Sequence, residues 1–238
     1  MFWWPFQKKK VGLALGGGVA RGIAHVGVLK VLQENRVPID FIAGTSSGSL
    51  VAAAFAAGME LSLIEQAALR IHWTDFFKIT FFRPGFISSQ TIEEFVVKYI
   101  GDIEISELKI PFAAAATDFT SGERVVIAEG RVAKAVAASA SFPGVFAPQE
   151  HKKKFLIDGG LSSNVPVDAV RQLGAEYVIA ADVIPAKAAR SAPNDPLQVL
   201  GRSLDIAFKK LSRAESCRAD AYIELEMEED IWHLDLHK

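Results

Sequence analysis

The stretch Ile39-Asp-Phe-Ile-Ala-Gly44-Thr-Ser46-Ser-Gly48-Ser-Leu-Val-Ala-Ala-Ala-Phe-Ala-Ala-Gly58 decides how this chain is read. A short apolar strand is expected over Pro38–Ala43, and an alanine-rich helix over Ser47–Ala57, stopped by Gly58. Between them lies Gly44-Thr-Ser-Ser-Gly48, glycine–x–serine–x–glycine, the pattern of a serine set on a sharp strand-to-helix turn. The spacing has a steric reason. Side chains two residues either side of the apex would collide, and glycine at 44 and 48 removes them. A hydroxyl held at the apex meets free backbone N–H groups and the positive end of the helix dipole, which favour a developing alkoxide. Ser46, Ser47 and Ser49 stand close together, and only Ser46 has glycine at both flanking places. The competing reading is a glycine-rich turn with Ser47 as a helix cap.

The same strand-then-helix unit recurs on both sides. Strands are expected at Val11–Leu15, Pro111–Thr117, Arg124–Ala128, Phe155–Ile157, Tyr177–Ala181 and Ala221–Leu225. Helices are expected at Val19–Gln33, Leu61–Ile71, Ser88–Ile100, Val132–Ser139, Val167–Leu173 and Gly201–Cys217. Trp73–Phe86 and the Ala/Pro-rich Pro185–Pro196 read as loops. Alternating β and α units with short apolar strands imply an α/β fold, with a mainly parallel central sheet covered by helices on both faces. No boundary divides the 238 residues, so one domain is expected over 1–238, with a motif core at 11–184 and an N-terminal extension at 1–10. In such folds sites gather at the carboxyl ends of strands. Three segments sit there: Gly16-Gly-Gly18, Gly44–Gly48 and Asp158-Gly-Gly160.

Gly16-Gly17-Gly18-Val-Ala-Arg21-Gly22 follows the first strand. The dinucleotide spacing G-x-G-x-x-G fails, because its last place from Gly16 is Arg21. The phosphate-loop pattern fails as well, since no Gly-Lys-Ser/Thr occurs. What remains is a set of backbone N–H donors at a helix start, suited to an oxyanion. Arg21 reads equally as a salt-bridged anchor for that loop and as a contact for a substrate phosphate.

A serine nucleophile needs a base. None of His25, His72, His151, His233 and His237 directly follows a strand beside a glycine turn. Chain order leaves His233 as a minority candidate for a triad. His233, Asp235 and His237 read as polar residues near a terminus rather than as a metal site. Asp158 ends a short strand, and Gly159-Gly160 let the backbone approach another loop. A carboxylate in reach of Ser46 serves as general base without histidine. Asp118 and Asp182 also end strands, and spacing does not choose among the three.

Composition bounds the rest. Half the residues are hydrophobic and the formal net charge is -2, so no basic field points to nucleic acid. The one cysteine, Cys217, cannot form an internal disulfide and reads as a helix residue. No segment reaches the roughly 18 to 20 apolar residues of a membrane span. At the N-terminus Met1–Phe6 precedes Lys8-Lys-Lys10, the reverse of a secretory leader, so a cytoplasmic protein is expected. That aromatic-and-lysine start reads evenly as a peripheral membrane contact or as a locally packed terminus.

Taken together, the segments Gly16–Gly22, Gly44–Gly48 and Asp158–Gly160 resemble the patatin-like phospholipase family, and its small bacterial members most. The runs Ala138-Ser-Ala-Ser-Phe-Pro-Gly-Val-Phe146 and Asp158–Val167 resemble those members too, so the likeness spans about residues 11–184. The resemblance implies a three-layer α/β/α patatin-like fold, no metal and no cofactor. It also implies acyl-ester substrates, often phospholipids or lysophospholipids. It assigns the nucleophile to Ser46 and the base to Asp158 of a Ser-Asp dyad. The oxyanion donors fall on the Gly16–Gly18 loop, with Gly17 and Gly18 foremost. Two other activities are compatible with the fold: a regulatory or scaffold protein with little hydrolysis, and an acyltransferase. Head group, chain length, regiospecificity and oligomeric state are left open.

Overall fold

The computed structural model describes residues 9–70, 87–185 and 196–225. The expectations placed on the N-terminal aromatic and lysine run, His72, Trp73–Phe86, most of Pro185–Pro196, His233 and His237 lie outside the described residues. In chain order the elements are β1 (Val11–Leu15), α1 (Ala24–Glu34), β2 (Phe41–Thr45), α2 (Ser47–Ala56), α3 (Leu61–Leu69) and α4 (Gln90–Ile100). There follow β3 (Phe112–Asp118), β4 (Arg124–Ile127), α5 (Val132–Ser139), β5 (Gln149–His151) and β6 (Lys154–Asp158). The series ends with α6 (Val167–Leu173), β7 (Tyr177–Asp182), α7 (Pro196–Ser216) and β8 (Ala221–Glu224).

The strands form one mixed sheet in the order β5-β6-β3-β2-β1-β7-β8, with β4 also paired to β3. Strands β3, β2, β1, β7 and β8 run parallel to one another, while β4 and β6 pair antiparallel with β3 and β5 pairs antiparallel with β6. Side chains alternate across this sheet. Leu13, Leu15 and Ile42 enter the larger core, which Val26 and Leu29 of α1, Ala53 of α2, Val96 of α4 and Val136 of α5 complete. Ala14, Ala43, Ala113 and Ala180 face the other way, against Val167, Ala169 and Val170 of α6. Alanine on that face lets α6 lie close to the sheet, and the fold is α/β with helices on both sides.

Two expectations change. Val19–Gln33 is not one helix: Val19–Ile23 forms a 3-10 turn, and the α-helix begins at Ala24. Val19 has φ 54°, the left-handed region that a β-branched side chain disfavours, so an α-helix cannot start there. The lysine-rich turn after His151 is the tip of a β5–β6 hairpin, with β5 unforeseen because Gln149-Glu-His151 is polar and edge-placed. Among the described residues no helix is long and apolar enough to cross a membrane.

One register explains how the sheet builds a site. Ala114 and Ala115 of β3 pair with β2 on one edge and with β4 on the other. Ala116 and Thr117 pair with β4 and with β6, so β6 occupies the edge that β2 has vacated. Thr45, the last residue of β2, sits beside Ala115, and Asp158, the last of β6, sits beside Ala116. An antiparallel strand thus brings its carboxyl end to meet the carboxyl end of β2.

Candidate active site

Ser46 stands between β2 and α2 at φ 51° and ψ −124°, an uncommon conformation for a residue other than glycine. Such strain persists only where the surroundings over-determine it. Here the turn is wedged between backbones. A Cβ on Gly44 would lie 2.4 Å from the Gly48 carbonyl oxygen, and a Cβ on Gly48 would lie 2.4 Å from that of Leu15. Neither neighbour is a side chain that could rotate away. The cap alternative for Ser47 is not realised: α2 has no side-chain cap bond, and the buried Ser47 Oγ makes no hydrogen bond among the described residues.

Below the turn, Ser139 at the end of α5 donates to the Ala115 carbonyl at 2.6 Å and accepts the Ser46 N–H at 2.9 Å. Thr45 donates to the Ser163 carbonyl at 2.8 Å. The elbow is therefore tied to β3 and to the segment after Asp158. Sequence reading missed Ser139 as a site residue. It lies in the Ala138–Phe146 run that carries part of the family likeness, and a single serine among alanines gave no chemical signal.

Asp158 is fully buried next to Ser46. Its Oδ1 accepts the Gly160 N–H at 2.8 Å, while Oδ2 makes no hydrogen bond of standard geometry among the described residues. Burial pushes the carboxyl up to about 6, opposed first by the Ser46 hydroxyl and then by the Gly160 amide. The strand end itself is fixed: Asp158 N–H donates to Ser141 O at 2.9 Å, and Thr117 donates to Asp158 O at 2.8 Å. Gly159 is required by closeness, since a Cβ there would fall 2.1 Å from the Ala115 carbonyl oxygen.

The two rival acids are engaged elsewhere. Asp118 binds Lys154 at 2.8 Å and the Thr120 amide at 3.0 Å. Asp182 accepts from Lys209 at 2.9 Å, from the Tyr222 hydroxyl at 2.8 Å and from the Ile184 amide at 2.9 Å. Among the described histidines, His25 is buried under the glycine loop, its Nε2 2.7 Å from Gly16 O, and His151 lies on β5. Burial lowers His25 to about 4, so it is neutral and its ring N–H serves the loop.

The glycine loop lies against the elbow serine: a Cβ on Gly17 would be 3.3 Å from that of Ser46. Its three amides are not equivalent. Gly16 N–H donates to Ala181 O at 2.9 Å and Gly17 N–H to Asn164 O at 3.1 Å, whereas Gly18 N–H has no partner among the described residues. Of the three glycines, only Gly18 offers a free donor in this conformation. Arg21 is buried with Asp205 of α7 at 2.5 Å, and its Nε donates to Gly18 O at 3.2 Å. Of its two readings, the geometry is that of the salt-bridged anchor. Cys217 follows α7 as an exposed thiol.

The chain was compared with known proteins. Lysophospholipase NTE1 of Scheffersomyces stipitis is 32% identical over 183 residues, 74% of this chain and 12% of that protein. Neuropathy target esterase sws of Drosophila melanogaster is 32% identical over 181 residues, 73% of this chain and 13% of that one. An uncharacterized NTE family protein of Mycobacterium tuberculosis is 34% identical over 178 residues, 72% of this chain and 48% of that one. This chain thus spans about an eighth of the fungal and fly relatives and about half of the mycobacterial one. Among solved structures, VipD from Legionella pneumophila shares the fold, with TM-score 0.50 and 15% identity over 82% of this chain and 52% of that one. The model of the family described as patatin-like phospholipase matches residues 13–171, which run from β1 through the elbow and Asp158 into α6, and this chain belongs to that family.

Proposed function

We propose that the chain is a serine hydrolase of lipid acyl esters, phospholipids or lysophospholipids, working through a Ser46–Asp158 dyad. The observation that carries this reading is the pairing at two strand ends. A strained serine at a helix N-terminus stands beside a buried carboxylate whose second oxygen has no other partner among the described residues. Asp158 Oδ2 takes the proton as Ser46 Oγ attacks the ester carbonyl. The resulting oxyanion is met by Gly18 N–H and by Ser47 N–H, the residue after the nucleophile. Collapse expels the alcohol, which takes the proton from Asp158 and leaves an acyl-serine. Water then attacks, again deprotonated by Asp158, and the fatty acid leaves with Ser46 restored. The family and relatives named as lysophospholipases support the ester substrate class.

Incubation with a panel of lyso- and diacyl-phospholipids, with free fatty acid read by mass spectrometry, tests the reading. Fatty acid release is expected, falling at least about a thousandfold in Ser46→Ala. Release undiminished in Ser46→Ala, or none from any ester by folded protein, contradicts it.

A further inference from the structure

Helix α7 lies beyond the family match, yet it reaches both the glycine loop and the segment that follows Asp158. Asp205 binds Arg21 of the glycine loop, Ser212 accepts from Asn164, and Glu215 accepts from Ser163 Oγ and the Val165 amide. Asp205, Lys209, Ser212 and Glu215 are all buried and recur at helical spacing, so α7 turns a polar stripe inward where an apolar one is usual. Polar groups so placed are costly unless their partners fix them.

We propose that Asp205 is a positioning residue of the acyl-transfer site: through Arg21 it sets the Gly18–Val19 peptide, and with it the donors for the oxyanion. This rests on the Ser46–Asp158 reading. The Arg21 and Asp205 side chains are 2% and 4% exposed, so removing Asp205 alone takes a buried partner from the guanidinium. The guanidinium is a planar fork. One arm meets Asp205 Oδ1, and Nε donates to Gly18 O, which the Arg21 backbone N–H also meets at 3.1 Å. In a trans peptide the C=O and the next N–H point in opposite directions. Holding Gly18 O from the Arg21 side therefore turns Val19 N–H the other way, and that N–H has no partner among the described residues. The cost is visible at Val19, whose φ of 54° a β-branched residue adopts only when the surroundings impose it. His25 holds Gly16 O from the same side at 2.7 Å. The Gly16 and Gly18 carbonyls are held, and among the described residues the amides of Gly18, Val19 and Ala20 have no hydrogen-bond partner.

The test uses the full chain with a soluble short-chain ester, reading kcat, KM, the rate of fluorophosphonate labelling of Ser46 and thermal unfolding. Arg21→Lys keeps the charge opposite Asp205 and loses the fork. The pair Arg21→Met with Asp205→Leu removes both charges, so neither is left buried alone. In both, kcat and labelling rate are expected to fall about tenfold to a hundredfold, less than the loss of a whole oxyanion donor. KM is expected to stay within about threefold, the signature of an interaction made only in the transition state. If a stably folded double variant or Arg21→Lys keeps wild-type kcat and labelling, the pair is structural only and the proposal is overturned. If the wild type itself neither hydrolyses esters nor labels at Ser46, the acyl-transfer reading fails first and takes this one with it.

Discussion

Burial holds the Asp158 carboxyl up to about 6, and this has opposite consequences for chemistry and for stability. As the proposed base it must be ionised, so kcat/KM for a soluble ester is expected to rise with pH through about 6 and then level. A limb near 6 invites assignment to histidine. His25, buried and lowered to about 4, cannot supply it, and Asp158→Asn should remove the activity rather than shift the limb. The stability sign runs the other way. A carboxyl whose folded value lies above its unfolded one favours folding when protonated, and that advantage is lost as pH rises from about 4 through about 6. Asp158→Asn should therefore be the more stable protein at neutral pH, by about 1–3 kcal/mol, with the difference vanishing toward pH 4. Thermal unfolding of both proteins at pH 4 and pH 7.5 checks this. Ser139 is a second residue-scale test. Its loss leaves the buried Ser46 amide and Ala115 carbonyl without their partner. Ser139→Ala should cost about 1–3 kcal/mol in denaturant unfolding and lower kcat as the elbow loosens.

At the scale of elements, the candidate site is a meeting of the ends of β1, β2 and β6, packed backbone on backbone at Gly48 and at Gly159. Gly48 lies within a side chain's width of the Leu15 and Gly16 carbonyls. Gly48→Ala must push β1 and α2 apart, and is expected to cost more than about 3 kcal/mol or prevent folding, read by solubility and unfolding. The elbow was legible in the sequence because its glycines, its strand and its alanine-rich helix are all local. Asp158 was legible only as one of three acids at strand ends. What selects it is the register of an antiparallel β6 beside β3, a contact between residues about 40 apart that no local pattern encodes. The family likeness named the same residue by other means. The amides of Gly16 and Gly17 have long-range partners, at Ala181 and Asn164, that set them apart from that of Gly18. Sequence spacing carries no trace of those bonds.

Across the whole molecule, the family match ends within α6, but the described chain continues through β7, α7 and β8 into the same core and site. Strand β7 pairs with β1, and Phe208 of α7 packs in the larger core. A chain ended at residue 195 would leave Arg21 without Asp205 and the Val165 amide without Glu215. It is expected to be insoluble or to unfold without a cooperative transition, as circular dichroism would show. The polar stripe of α7 was not legible, because charged residues on a helix normally mark its solvent side.

The central claim, that Ser46 is a nucleophile activated by Asp158, is tested most directly by fluorophosphonate labelling, with the modified residue located by mass spectrometry. Wild type, Ser46→Ala and Asp158→Asn are compared at pH 7.5. The account predicts a single adduct on Ser46, none in Ser46→Ala, and labelling slowed at least about a hundredfold in a folded Asp158→Asn. A folded wild type that takes no label at Ser46, or an Asp158→Asn protein that labels as fast as wild type, would contradict it.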